Sequence, residues 1–428
     1  MIEQLDLIDF KSFSGQGITF GGFTVAIGAN ASGKSNLRDA FRFLHGLSRG
    51  YTLAETVGEK WVEGGVRQWQ GIRGGAREAA RHGTAEFFLA AHLLIEDQDR
   101  YRVAAYGIAV GIGEGTPRIA FEQFYAPGYN RPFFDTHPEN ASAGSDAEHI
   151  YARVRQIDKR GRDPIRSFLS DRPILTQIVN RDDVQKTVRD MAAAAIASLG
   201  SMRFLDLSPD AMRQPSQPGQ KILSDRGENL ASVLQLMYQD EATREPMLEW
   251  IRELTPMDVT DLGFDTDATG RVVLFLVEAD GKRTSVYSAS DGTLRLLAMI
   301  AAFLGPGAAR FYFLEELEVG IHPARLYVLL DLIEQQSRRT DRPPVQIVAT
   351  THSPHLLRQL RPETLRNALL VYRDETTGTS RLLPIHEVPG ASEELLRDPG
   401  RLHESAWFED MLAFSGDGAS DELAVPDE

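Results

Sequence analysis

The sequence predicts an α/β fold in which helices flank a largely parallel β-sheet, and three observations support this prediction. A glycine-rich loop at residues 28–35 joins the apolar stretch Phe23–Ile27 to a segment with apolar residues at helical spacing. Two further apolar stretches, Phe311–Leu314 and residues 345–350, each end in polar side chains. Apolar strands that alternate with helices are typical of a parallel sheet covered on both faces.

The glycine-rich loop, GANASGKS, fits the pattern G-x-x-x-x-G-K-[ST] with Gly28, Gly33, Lys34 and Ser35. In the context strand, loop and helix, such a loop directs backbone N–H groups and the helix N-terminus at phosphate oxygens. Lys34 is expected to reach the β- and γ-phosphates, and Ser35 is expected to bind Mg²⁺. The sequence therefore predicts a P-loop NTPase that binds ATP or GTP. The predicted nucleotide-binding residues of the loop are Gly28, Ala29, Asn30, Ala31, Ser32, Gly33, Lys34, Ser35 and Asn36.

The first third of the chain is predicted to be rich in strands. Residues 2–13 alternate between apolar and polar, and residues 84–95 and 100–110 resemble two strands joined by a polar turn. Residues 128–145 are predicted to form a loop. Residues 146–199 are polar and rich in arginine, and their pattern predicts mostly helix.

The globular pattern resumes after residue 207. Helices are predicted at residues 229–239 and 245–254, and strands at 259–264 and 271–278. Helices at 293–304, 324–336 and 354–360 then alternate with strands at 311–314, 345–350 and 368–372. The sequence shows no internal repeat and no sustained heptads. The final stretch, residues 415–428, is predicted to be an acidic, disordered tail.

Composition restricts the class of protein further. The chain has 428 residues, a formal net charge of −15 and no cysteine, which excludes disulfides, thiolate zinc sites and cysteine nucleophiles. It contains neither a membrane-length apolar run nor the pattern of a signal peptide, so we expect a cytoplasmic protein without membrane contact.

An acidic protein can contact DNA only through a local basic patch. One candidate patch is the arginine-rich region from Arg153 to Arg189, and its alternative interpretation is a solvated surface of mixed charge. Its basic residues are Arg153, Arg155, Lys159, Arg160, Arg162, Arg166, Arg172, Arg181, Lys186 and Arg189. A second candidate consists of Arg67, Arg73, Arg77 and Arg81.

Three segments downstream of the loop carry further chemistry. FYFLEELEVGIHP ends an apolar strand in Glu315 and Glu316, which suits one carboxylate on a metal and one on an attacking water. VQIVATTHSPH ends another strand near His352, whose imidazole could contact the γ-phosphate or the attacking water. SASDGTLRLL places Ser290 and Gly292 at the start of a helix, which is a second anion-binding terminus. Alternatively, the acidic pair is a solvated strand end, and Ser290 only caps its helix. His352 and His355 could likewise be surface histidines or a chance metal pair.

In their order along the chain, the four segments resemble an ATP-binding-cassette head of the RecF/SMC type, and most closely the predicted ATPases related to the overcoming-lysogenization-defect (OLD) family. The opening LIDFKSF and the stretch SDRGENLASVL also resemble that group. The resemblance implies that residues 28–35 are Walker A, that residues 290–293 are the signature, and that Glu315 and Glu316 are Walker B. It further implies that Glu316 is the catalytic glutamate, Glu315 a Mg²⁺ ligand, LEVGIHP the D-loop and His352 the switch histidine.

The sequence departs from the family pattern at three points. Glu315 stands where the usual Walker B residue is aspartate. The signature has Asp291 and Gly292 in place of two glycines, and no glutamine can be assigned to the Q-loop. We therefore expect weaker or water-mediated Mg²⁺ binding at Glu315.

The resemblance also implies a domain organisation. Residues 1–127 are predicted to form the N-terminal part of the ATPase head, and residues 128–207 a loop and a mostly helical insertion. Residues 208–414 are predicted to form the C-terminal part of the head, before the tail at residues 415–428.

The implied function is that of an ATP-hydrolysing switch in DNA metabolism or anti-phage defence. In such heads the signature of one subunit closes over the ATP of the other, which predicts a homodimer, possibly within a higher oligomer. OLD enzymes carry a Toprim nuclease domain, and no corresponding acidic motifs follow His352. We therefore expect a separate effector, such as a nuclease. One alternative is a RecF-like DNA repair clamp or loader. Another is the ATPase subunit of a transporter, which the long insertion disfavours.

Overall fold

A computed structural model of the chain describes residues 1–97, 100–113, 116–126, 128–129, 131–136, 148–157, 162–255, 259–338, 345–374 and 376–388. The elements up to residue 205 are β1 (Ile2–Phe10), β2 (Phe13–Thr19), β3 (Phe23–Ile27), α1 (Lys34–Ser48), α2 (Leu53–Val57), β4 (Glu59–Val62), β5 (Val66–Gln70), β6 (Glu86–Asp97), β7 (Arg100–Gly111), β8 (Arg118–Tyr125), β9 (Phe134–Asp135), β10 (His149–Val154), β11 (Ile165–Leu169), α3 (Ile174–Ile178), α4 (Lys186–Gly200) and β12 (Met202–Leu205).

The second half of the described chain contains more helix. Its elements are α5 (Pro209–Met212), α6 (Leu230–Gln239), α7 (Glu241–Leu254), β13 (Val259–Thr266), β14 (Val272–Glu278), β15 (Arg283–Ser285), α8 (Asp291–Leu304), β16 (Phe311–Leu314), α9 (Pro323–Ser337), β17 (Gln346–Thr351), α10 (Pro354–Leu357), α11 (Pro362–Arg366), β18 (Leu369–Arg373) and β19 (Ser380–Pro384).

A six-stranded sheet in the order β12-β16-β17-β3-β18-β19 forms the centre of the fold. All neighbouring pairs in it are parallel except β18 with β19. Every residue of β3, β16 and β17 is buried, because both faces of the sheet are covered. The predicted α/β class is therefore confirmed.

Helix α1 lies between this sheet and an eight-stranded antiparallel sheet, β11-β10-β9-β8-β7-β6-β1-β2. Phe41 contacts the central sheet, with its ring centroid 4.9 Å from that of Phe311. Phe43, two residues further along, faces Phe87 of β6 at 5.3 Å. Because α1 carries apolar side chains on both of these sides, it can be buried between the two sheets.

The opposite face of the central sheet packs against helices. Alternate residues of β16 point to the two sides, so that Phe311 and Phe313 join the α1 core while Tyr312 and Leu314 join the other. That second core contains the buried faces of α6, α7, α8 and α9.

The structure differs from the prediction of a mostly helical segment at residues 146–199. Helices α3 and α4 lie there, but β10 and β11 are strands that pair with each other antiparallel and extend the eight-stranded sheet through β9. These strands end the sheet and bury few side chains, such as Ala152 and Phe168. Their polar sequence therefore lacks the apolar alternation that identifies a half-buried strand. The predicted tail and the end of the predicted C-terminal part lie outside the described residues.

Glu122 on β8 is a carboxyl buried in the antiparallel lobe. It accepts hydrogen bonds from Tyr106 Oη at 3.0 Å, from the Ile174 backbone N–H at 2.7 Å and from the Leu175 N–H at 2.9 Å. Burial raises the pKa of Glu122 from 4.5 to about 7, and these three donors offset only part of the rise. Glu122 therefore joins the start of α3 to the sheet. Because its pKa is shifted, its contribution to the free energy of unfolding depends on pH.

We predict that the contribution of Glu122 to the free energy of unfolding falls as pH rises from about 4.5 to above 7, because the folded state holds the Glu122 proton more tightly than the unfolded chain does. This contribution is complete below pH 4.5 and is lost above the folded pKa, with a total of roughly 3 kcal/mol. Urea titrations of the wild type and Glu122→Gln across this range would measure it. Parallel pH profiles for the two proteins would contradict the prediction.

Candidate nucleotide site

The loop between β3 and α1 has the backbone of a phosphate-binding loop. Gly33 adopts φ 118° and Ala31 φ 63°, both in the left-handed region. A Cβ at Gly28 would lie 2.1 Å from the Val371 carbonyl oxygen, and one at Gly33 would lie 2.4 Å from Ser380 Oγ. Close contacts thus require both glycines of the motif, and the backbone conformation additionally requires Gly33.

Lys34 begins α1 and folds back over the loop. Its ammonium donates to the carbonyl oxygens of Gly28 and, at 2.8 Å, Ala29. Burial lowers the pKa of Lys34, while the carboxylates of Glu316 and Glu318 act in the opposite direction. The partly buried charge lies where an anionic phosphate would stabilise it.

The loop opens into a cleft of about 500 Å³. Parallel strands bring their carboxyl ends to one edge of a sheet, and β17 alone separates β3 from β16. Glu315 and Glu316, which follow β16, therefore meet the loop despite their distance in sequence. The cleft is lined by residues 30–36 together with Arg73, Asp206, Leu207, Arg295, Glu315, Glu316 and Thr350.

Glu315 and Ser35 have the oxygen chemistry that Mg²⁺ prefers, and both line the cleft. Glu315 Oε2 also lies 3.3 Å from Nη1 of Arg38. Two protein oxygen ligands suit a Mg²⁺ ion that completes its coordination shell with phosphate oxygens and water. Within the described residues, no cluster of three or more histidine and carboxylate side chains offers a metal site formed by protein ligands alone. The residues therefore fit a nucleotide-associated Mg²⁺.

Glu316 is held in an unusual backbone conformation. Its φ is 50°, which few residues other than glycine adopt, and its backbone N–H donates to Thr350 Oγ1 at 3.1 Å. The side chain is exposed at the cleft. Backbone strain of this kind, stabilised by a specific hydrogen bond, is typical of functional sites.

Ser290 and Gly292 are exposed or partly exposed at the N-terminus of α8 and lie outside the residues that line the cleft. Ser290 Oγ accepts the Thr293 N–H at 3.1 Å, so it caps the helix. A Cβ at Gly292 would lie 2.2 Å from the Gly320 carbonyl oxygen. The first turn of α8 therefore packs directly against the segment that follows Glu316.

His352 follows β17 and is exposed, and it does not line the cleft either. Its backbone N–H donates to Glu318 Oε1 at 3.3 Å, and its Nδ1 lies 3.5 Å from the same oxygen. The structure thus connects the loop after β17 with the loop after β16.

Sequence reasoning assigned no individual role to Arg295, which lines the cleft, or to Arg38, which pairs with Glu315. It placed Glu318 in the D-loop without a role of its own. Arg38 carried a signal, because it follows Lys34 by one helical turn and so shares its face. Arg295 on α8 and Arg73 reach the cleft only through the tertiary fold.

The arginine-rich region from Arg153 to Arg189 is largely engaged within the protein. Arg166 and Arg181 both pair with Asp183, at 3.3 and 2.9 Å, and Arg155 lies 4.9 Å from the Tyr129 ring centroid. Lys159 and Arg160 lie outside the described residues, and Arg162 is exposed. These pairs favour the mixed-charge surface over a free phosphate-binding patch.

Among the helices in the described ranges, none has both the length and the apolarity needed to cross a bilayer.

Fold and site together define a P-loop ATPase of the α/β class. A family model described as "AAA domain, putative AbiEii toxin, Type IV TA system" matches residues 140–358, just over half of the chain. The chain belongs to this family. The match includes Glu315, Glu316 and His352, whereas the loop at residues 28–35 precedes it and is joined to it by the fold.

The chain is also similar to solved structures of SMC heads. "Crystal structure of the SmcHead bound to the C-winged helix domain of ScpA" is 15% identical, with 89% of this chain and 97% of that chain covered and a TM-score of 0.47. The Smc head domain with an extended coiled coil bound to the C-terminal domain of ScpA, derived from Pyrococcus furiosus, is 16% identical, with 92% and 99% covered and a TM-score of 0.40. No curated protein matches the sequence significantly.

We predict that Gly28→Ala weakens ATP binding about 10- to 100-fold, because the added methyl group meets the Val371 carbonyl and Ser32 Oγ and forces the loop to shift. Gly15→Ala is the matched control, since a Cβ there has no atom within 4 Å. Titration with a fluorescent ATP analogue would measure both affinities. Equal affinity in Gly28→Ala and the wild type would show that the close contact does not constrain the loop.

Proposed function

We propose that this ATPase is a switch that dimerises around ATP and controls a separate effector protein. The observation that carries the proposal is the position of Ser290 and Gly292. They begin a 14-residue helix whose N-terminus is exposed, yet they do not line the cleft that contains Lys34 and Glu316. A second anion-binding helix terminus outside the cleft of its own chain is suited to the nucleotide of another copy.

Each residue of the cleft has a role in this proposal. The loop amides and Lys34 bind the phosphates, and Ser35 with Glu315 holds Mg²⁺, which would neutralise developing charge on the phosphate oxygens. Glu316 orients and deprotonates the attacking water. His352 contacts the terminal phosphate or the attacking water once the cleft is closed by the partner.

The effector and the biological setting are inferred more indirectly. A switch in DNA metabolism or anti-phage defence, acting in the cytoplasm on a separate nuclease, agrees with the resemblance to OLD-related ATPases. The family's description names a toxin of a toxin–antitoxin system, which also agrees with the control of a harmful activity. A RecF-like DNA clamp is less well supported than this switch, because ion pairs within the arginine-rich region already engage arginines that DNA phosphates would need.

We predict that Glu316→Gln lowers the turnover number for ATP at least 100-fold while ATP binding changes little, because the amide cannot accept the proton of the attacking water. The variant should accumulate as an ATP-bound dimer. Phosphate release and sedimentation velocity would measure the two effects, with Glu245→Gln on the exposed face of α7 as control. An unchanged turnover number would exclude Glu316 from the catalytic role.

We predict that Ser290→Arg abolishes ATP-dependent dimerisation and hydrolysis but leaves ATP binding intact, because the added side chain obstructs only the partner's nucleotide. Gln220→Arg, on another exposed segment, should behave as the wild type. Sedimentation with Mg²⁺ and ATP and a binding titration would separate these effects. Normal hydrolysis by Ser290→Arg would refute the shared site.

A further inference from the structure

Glu318 lies two residues beyond Glu316, and its carboxylate joins the loops that follow β16 and β17. Its Oε1 accepts a hydrogen bond from Thr351 Oγ1 at 2.6 Å and one from the backbone N–H of His352 at 3.3 Å. The same oxygen lies 3.5 Å from Nδ1 of the His352 ring. One carboxylate oxygen therefore contacts both the backbone and the side chain of His352.

The burial of Glu318 makes its charge notable. The side chain is 13% exposed, against 47% for His352, and its Oε2 is buried without a hydrogen-bond partner among the described residues. A buried and incompletely satisfied carboxylate destabilises the fold. A glutamine oxygen at this position could accept the same two hydrogen bonds from Thr351 and the backbone. The negative charge is therefore not needed to hold the loops together.

The charge of Glu318 acts on two groups nearby, the ammonium of Lys34 and the imidazole of His352, and the imidazole is the one that its Oε1 contacts. A carboxylate beside one ring nitrogen holds a proton on that nitrogen and fixes the orientation of the ring, as in triads and in the outer shell of metal sites. With Nδ1 protonated toward Glu318, Nε2 carries the lone pair of the neutral ring and can accept a hydrogen bond from the attacking water.

We infer that Glu318 is a positioning residue that acts through His352: its carboxylate selects the Nδ1–H form of the ring and orients Nε2 for ATP hydrolysis. The inference rests on the proposed function, because it assumes that His352 takes part in hydrolysis. It assigns the charge of Glu318 to the ring of His352 rather than to the stability of the loop.

A double-mutant cycle tests this inference through activity. Glu318→Gln should lower the turnover number about 10- to 100-fold with little change in the KM for ATP. In a His352→Ala background, the same change should have almost no further effect, because the group through which it acts is gone. Glu245→Gln is the matched control for loss of an exposed carboxylate. Equal fold-losses in the two backgrounds would overturn the inference.

The protonation of the ring provides a test that does not require hydrolysis. Histidine ¹⁵N spectra of the whole chain, with His352 assigned by comparison with His352→Gln, should show the Nδ1–H form in the wild type and its loss in Glu318→Gln. An Nε2–H ring in the wild type would overturn the inference. If instead the ring behaves as expected but the wild type hydrolyses no ATP, the proposed function fails while the effect of Glu318 on the ring stands.

Discussion

The structure depends on the burial of helix α1 between two sheets. Phe41 packs against Phe311 of the parallel sheet, and Phe43 packs against Phe87 of the antiparallel sheet. Because both sides of α1 are fixed, its N-terminus has a defined position at the carboxyl edge of β3, β17 and β16. The phosphate-binding loop, the two glutamates after β16 and the segment after β17 meet at this edge.

The site combines conformations that are unfavourable for an isolated chain. Ala31 and Glu316 both adopt positive φ, and Gly28 approaches the Val371 carbonyl too closely for any side chain. Each such feature costs free energy, which the packing around α1 offsets. The resulting rigidity suits catalysis of phosphoryl transfer, which relies on positioning and electrostatic stabilisation more than on covalent chemistry.

Charged side chains from different elements interact with one another around the cleft. Burial lowers the pKa of Lys34, whose charge is favoured by Glu316 and Glu318, and Arg38 pairs with Glu315. Beyond the cleft, Gly292 lies against the backbone at Gly320, so the start of α8 and the loop after Glu316 are in direct contact. This contact offers a physical route between the nucleotide and the surface proposed to face a second copy.

The sequence by itself determined the phosphate loop and the buried strands, because both are local: the loop requires glycines at fixed spacing, and a strand covered on both faces is a short apolar run. Only the tertiary structure decided the rest. Strands β10 and β11, at one end of the eight-stranded sheet, bury too few side chains to be distinguished from polar helix, so residues 146–199 were predicted wrongly in part. Arg38, Arg295 and Glu318 gained their roles from neighbours far away in sequence, and the strained φ of Glu316 depends on its hydrogen bond to Thr350. Such relations depend on how the strands are ordered in the sheet, which no local pattern specifies.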